Sequence, residues 1–294
     1  MIEMQGVDTA YDGMPMLRGV DLVVRQGELV CLLGANGAGK TTTFRTLVGL
    51  VRPTAGTVRL MGHDLSRLGT DRIAGLGVGL VPEARRLFPQ LTVRENLFLG
   101  HRATGRRDGF EAALDEIGRL FPRIRERLSQ PARTLSGGEQ AMVALGRALI
   151  GDPELLIMDE PSLGLSPKLV HEYFETIERI HKAGKTLLLV EQNAEMGLGI
   201  ADRGYVLAKG RVVASGTATE LLARDVARHA YFAAPLERLS LEQEASTHRG
   251  SCCHPRAPDW MPGSSPALSA RGRGEGAKYP CQGDVRQESG SRDY

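Results

Sequence analysis

Residues 29–41 constrain this chain more than any other stretch. Leu29-Val30-Cys31-Leu32-Leu33 is apolar without alternation, which predicts a strand buried on both faces. It runs into Gly34-Ala35-Asn36-Gly37-Ala38-Gly39-Lys40-Thr41, a complete match to G-x-x-x-x-G-K-[ST]. Gly34, Gly37 and Gly39 open backbone conformations closed to other residues, so that N–H groups, that of Asn36 included, can converge on an anion. Lys40 adds a point charge for the outer phosphates and the Thr41 hydroxyl can ligate Mg²⁺. The helix opening at Lys40, with Thr42 in its first turn, aims its positive end at the same place. The stretch predicts a phosphate cradle.

Upstream, Ile2 to Val7 and Leu17 to Val24 read as strands of a small sheet. Tyr11, in the connection between them, is either a surface side chain or a flat platform for an adenine ring. Downstream, Thr57 to Met61 and Val78 to Val81 are strands, the second stopped by Pro82-Glu83. Phe110, Ala113, Leu114, Ile117, Leu120, Phe121, Ile124 and Leu128 recur at helical spacing, which predicts a helical insert from about residue 91. Leu135-Ser136-Gly137-Gly138-Glu139-Gln140 precedes a helix expected over Ala141 to Ile150, and its free N–H groups make a second anion site. Leu155 to Met158 is a buried strand that ends in Asp159 and Glu160, where ligands of open α/β sheets bind. Asp159 can hold the hydration sphere of Mg²⁺ and Glu160 can orient or deprotonate an attacking water.

A helix to about Lys182, a strand Thr186 to Val190, a hairpin around Lys209-Gly210 and a short helix from Thr219 complete the ordered part. From Pro235 the composition turns to Pro, Gly, Ser and Arg, so residues 234–294 are expected to be a disordered extension, within which Leu236 to Ala245 has the composition of a helical piece. A formal net charge of +2 gives no argument for a nucleic-acid partner. The N-terminus lacks the pattern of a secretory signal, and no apolar run reaches the length of a membrane span.

With these three strings in this order, residues 1 to about 233 resemble the ATP-binding subunit of an ABC transporter, Leu135 to Gln140 being the family signature. Val81 to Pro89, Pro161 to Leu165 and Val190 to Asn193 resemble one ATPase of the bacterial branched-chain amino acid importer. Urea and short-chain amide importers have similar ATPases. The resemblance implies a P-loop α/β fold with a mostly parallel sheet, a small N-terminal antiparallel β subdomain and a helical subdomain over about 91–150. It implies ATP and Mg²⁺ as cofactors, with Glu83 as well as Thr41 and Asp159 near the ion. Two subunits, self or paralogue, pair head to tail so that Ser136, Gly137 and Gly138 of one meet the γ-phosphate held by the other. Tyr11 matches the adenine-stacking position, and Gln192 stands where most members have a histidine that contacts the γ-phosphate. Glu83 likewise replaces the usual glutamine, and Ser166 the usual aspartate, as marks of the subfamily. Two permease subunits would dock on the helical insert and on Arg85, Arg86 and Phe88, with a periplasmic solute-binding protein as an indirect partner. The chain would sit peripherally on the cytoplasmic face of the inner membrane. The resemblance leaves open a regulatory subunit that binds ATP with little activity of its own.

Overall fold

The computed structural model describes residues 1–65 and 68–223. The expected boundary near residue 233 and the tail to 294 lie outside the described residues. A hairpin opens the chain, β1 (Ile2–Tyr11) and β2 (Met14–Val24). Its turn is Asp12-Gly13, both at positive φ (49° and 80°), the two-residue geometry whose twist matches its flanking strands. The strands therefore continue to the turn, and Tyr11 is the last residue of β1, not part of a loop.

Next come β3 (Leu29–Gly34), α1 (Lys40–Leu47), β4 (Ala55–Leu60), the two-residue β5 (His63–Asp64) and β6 (Val78–Val81). The predicted helical insert follows as α2 (Val93–Ala103), α3 (Phe110–Leu120) and α4 (Pro122–Arg125), before α5 (Gly137–Leu149). β7 (Leu155–Asp159), α6 (Pro167–Lys182), β8 (Thr186–Glu191), α7 (Ala194–Ile200), β9 (Arg203–Ala208), β10 (Arg211–Thr217) and α8 (Ala218–Ala223) complete the order. The short helix α7 was not expected; the Asn193 side chain caps it by accepting from the Met196 N–H.

The strands form a six-stranded sheet of order β10-β9-β3-β8-β7-β6 and a four-stranded antiparallel sheet of order β2-β1-β4-β5. β6, β7, β8, β3 and β9 are parallel, and only β10 runs against its neighbour. Every residue of β3, β7 and β8 is buried, as the unalternating sequence requires. Leu29, Cys31, Leu33, Leu187 and Leu189 pack in one core with residues of the helices α2, α5, α6 and α7. Val30, Leu32, Leu188 and Val190 face the other way, into a second core shared with α1 and the small sheet. The Tyr205 hydroxyl ties the two sheets by accepting from the Val23 N–H at 3.2 Å. Among the described residues no helix is long and apolar enough to cross a membrane.

Candidate nucleotide site

The cradle is the turn between β3 and α1. Gly34 does not take a positive φ, contrary to the expectation for all three glycines: it is needed because a Cβ there would lie 2.6 Å from the Leu207 carbonyl of β9. Gly39 needs both freedoms, with φ 109° and Leu17 Cδ2 only 2.8 Å from where a Cβ would stand. The Lys40 ammonium is buried and donates to the carbonyls of Gly34 (2.7 Å) and Ala35 (3.2 Å). It also pairs with the Glu160 carboxylate at 3.0 Å. The two sequence strings, 120 residues apart, are thus joined by one ion pair at the C-terminal edge of the sheet.

A cleft of about 320 Å³ opens above this pair. Asn36, Gly37, Gly39, Lys40, Thr41 and Thr42 line one side, and Glu83, Glu160 and Gln192 the other. Met16 and Leu163 complete it, and neither was foreseen. Tyr11 is not among the lining residues: it stands at the exposed end of β1, paired with Met14 across the hairpin, and Met16 of β2 reaches the cleft instead.

Asp159 ends β7 almost fully buried, with its Oδ1 lacking any partner. The Thr41 side chain lies beside this carboxylate. Burial chiefly, then the charges of Glu160 and Glu83, push its pKa from 3.8 up to about 7 against the pull of Lys40 and Thr41. An orphaned carboxylate oxygen beside a hydroxyl fits a hard divalent cation. Among the described residues no three His, Cys, Asp or Glu side chains form a cage for a metal, so such an ion would take its other oxygens from phosphate and water.

This balance carries a test. The folded protein holds the Asp159 proton more tightly than the unfolded chain, so ionisation costs stability as the pH rises from 3.8 towards about 7, and the full cost stands above that. Asp159→Asn is therefore expected to stabilise the metal-free protein by roughly 2–4 kcal/mol at about pH 8, with the gain fading as the pH falls from about 7 towards 4. Urea unfolding at both pH values measures it, and a loss of stability at the higher pH would contradict the assignment.

The signature lies elsewhere on the surface. Ser136 caps α5 in a capping box: its hydroxyl accepts from the Glu139 N–H at 3.3 Å, and its own N–H donates to Glu139 Oε2 at 2.8 Å. The helix therefore starts at Gly137, four residues earlier than the expected Ala141, because the box closes its first turn. Ser136 and Gly137 are exposed and Gly138 is buried. None of the three lines the cleft that holds Lys40.

Between the two anion sites runs Ala84-Arg85-Arg86, three successive residues in the left-handed region (φ 58°, 63° and 44°). Without glycine such a run is strained, and the surrounding structure must hold it. Arg147 of α5 does so, its guanidinium donating to the Arg86 carbonyl at 2.7 Å and the Arg85 carbonyl at 3.0 Å. The Arg85 side chain turns inward to Gln140 Oε1 (3.3 Å) and the Leu163 carbonyl (3.5 Å). Docking was expected of Arg85, Arg86 and Phe88; Arg85 is committed to internal contacts, while Arg86 and Phe88 are exposed. A lone charge on the apolar run Ala144 to Leu149 was the sequence cue for Arg147. Arg147→Met should cost about 2 kcal/mol in urea unfolding, since two carbonyls lose a charged donor, and an unchanged midpoint would show that the clamp is idle.

A buried lysine in a glycine-rich turn, carboxylates at the tip of the next strand but one, and a capped Ser-Gly-Gly turn on an appended helical unit define a P-loop nucleotide-binding cassette. Residues 17–163 match the family model described as ABC transporter. The chain is 45% identical over 231 residues to the high-affinity branched-chain amino acid transport ATP-binding protein BraG of Pseudomonas aeruginosa, covering 79% of this chain and 99% of that protein. A probable branched-chain amino acid transport ATP-binding protein LivF of Archaeoglobus fulgidus is 35% identical, over 76% of this chain and 94% of its own. Among solved structures, an ATP-binding subunit of an ABC transporter superposes with a TM-score of 0.69 at 31% identity, covering 83% of this chain and 99% of the other. The dimeric post-hydrolysis state of the cassette MJ0796 bound to ADP and Pi gives 0.68 at 25% identity, over 74% and 99%. The chain belongs to the ABC transporter family, as a nucleotide-binding ATPase cassette.

Proposed function

We propose that this chain hydrolyses ATP to power the import of leucine, isoleucine and valine through a membrane transporter. The observation that carries the chemistry is the meeting of Lys40, Thr41, Asp159, Glu160 and Gln192 at one sheet edge. The likeness to BraG over almost the whole of that protein supports the substrate.

In this reading the cradle amides and Lys40 bind the β- and γ-phosphates, and Tyr11 stacks on the adenine from the end of its strand. Thr41 and Asp159 would hold Mg²⁺, with Glu83 beside them, and the ion would supply positive charge to the phosphate oxygens. Glu160 orients a water for in-line attack on the γ-phosphorus and takes its proton, while the Gln192 amide donates to the γ-phosphate. The left-handed φ of Glu160 (45°) turns its side chain off the line of β7 and into the cleft.

Ser136, Gly137 and Gly138 serve the ATP of a second subunit in a head-to-tail pair, which accounts for an exposed helix N-terminus that does not reach the chain's own cleft. Two permeases and, through them, a periplasmic solute-binding protein complete the assembly on the cytoplasmic face of the inner membrane. The exposed Phe88, Phe98 and Leu99 supply apolar area for the permeases. The test is ATP-dependent uptake of radiolabelled leucine into vesicles that contain the full transporter. Uptake of urea or a short-chain amide in place of leucine would reassign the substrate; uptake unaffected by omitting this chain would end the reading.

A further inference from the structure

The last residue of β8 is a carboxylate in a strand that is otherwise Thr-Leu-Leu-Leu-Val. Glu191 is 2% exposed. An ionised group in that place persists only when its charge is matched by donors. Here the donors come from two different loops. The Ser162 hydroxyl, two residues beyond Glu160, donates to Glu191 Oε1 at 2.7 Å. The Gln192 N–H donates to Oε2 at 3.1 Å, and the backbone N–H groups of Ser162 and Asn193 also point to the carboxylate. Burial pushes the pKa of Glu191 up, and these donors pull it back. Helix α7 closes over the group: a Cβ on its Gly197 would stand 3.5 Å from that of Glu191. Ser162, Leu163, Glu191, Gln192 and Asn193 wall a further recess beside Glu160.

We infer that Glu191 is a positioning residue for hydrolysis, a buried clasp between the loop that carries Glu160 and the loop that carries Gln192. This rests on the ATPase reading above. Each loop bears a group that must sit within hydrogen-bond reach of water or γ-phosphate, and displacements of about 1 Å are costly for such groups. Glu160 and Gln192 each follow directly on the last residue of neighbouring strands, with the Glu160 N–H bonded to the Val190 carbonyl at 2.8 Å. That bond fixes the strand tips, and the carboxylate clasp fixes the loops beyond them. Neither of the clasp's hydrogen bonds reaches a residue of the cradle, so the amide and lysine contacts that dominate ATP binding do not depend on it.

The experiment is steady-state ATPase kinetics on the full-length chain in its assembled transporter. Ser162→Ala is expected to lower kcat about tenfold, the value of a hydrogen bond to a charged group, with KM for ATP unchanged. Ser162→Thr, which keeps the hydroxyl, restores the rate. Glu191→Gln keeps its one acceptor for the Gln192 N–H but presents NH₂ to the Ser162 hydroxyl, which loses its charged acceptor, and lowers kcat similarly. The double variant falls no further than the weaker single, because both act through one contact. A normal kcat in Ser162→Ala, effects that multiply in the double variant, or a rise in KM without loss of kcat would each overturn the inference. Should Glu191→Gln fail to fold, the half-buried Ser162 pair of variants still decides it. Wild-type hydrolysis that depends on Glu160 while Ser162→Ala is unaffected defeats the clasp alone; an inert wild type defeats the clasp and the ATPase reading together.

Discussion

Glu160→Gln is expected to reduce ATP turnover about a thousandfold, the contribution of a well-placed general base, and to leave ATP bound. The change is isosteric: it removes the negative charge without opening a cavity. In the structure that charge does two things. It pairs with Lys40 at 3.0 Å, and it raises the pKa of Asp159. The amide can still accept from Lys40, so the cradle keeps its shape, while Asp159 loses one of the like charges opposing its ionisation. Cation and nucleotide binding should therefore be retained or strengthened as hydrolysis stops. A variant that binds ATP without consuming it would hold the two subunits together, and size-exclusion chromatography with ATP and Mg²⁺ should show a dimer that wild type forms only transiently. Turnover at the wild-type rate in the assembled transporter would remove Glu160 from the chemistry.

Lys40→Ala should act on the opposite quantity. Its ammonium is the hub of the site, donating to two carbonyls and to Glu160 while only 4% exposed. Without it Asp159, Glu160 and Glu83 share one corner with no cation among the cleft's lining side chains. Breaking a buried pair by removing one partner typically costs about 3 kcal/mol or more, so the melting temperature should fall. ATP affinity should fall about a hundredfold as the phosphates lose a charged donor and face the uncompensated carboxylates. Calorimetric titration with ATP, beside urea unfolding, separates the two effects. Unchanged affinity would mean that the phosphates do not approach Lys40.

The sequence carried the elements that repeat a local rule. An unbroken apolar run predicted β3, β7 and β8, and each is buried throughout because helices cover one face of the sheet and α1 with the small sheet the other. The glycine turn, the hairpin at Lys209-Gly210 and the helical spacing in the insert were legible for the same reason: each depends on residues a few positions apart. Boundaries were less so. The α5 start slipped by one turn because a capping box needs Glu139 to fold back on Ser136, and Tyr11 moved into β1 because Asp12-Gly13 makes a two-residue turn.

Only tertiary structure brought distant residues within bonding range, since parallel strands order their tips without regard to sequence separation. It placed Glu160 on Lys40, gave Gly34 its reason in the Leu207 carbonyl, and turned Arg85 inward to Gln140 and Leu163. It brought Met16 to the cleft and made Glu191 a junction between two loops. By itself the sequence determined which groups can meet phosphate, because backbone freedom, charge and strand burial are local properties. Which of those groups share a proton, a counter-charge or a hydrogen bond was decided by the sheet order β3-β8-β7, which sets three loop ends side by side.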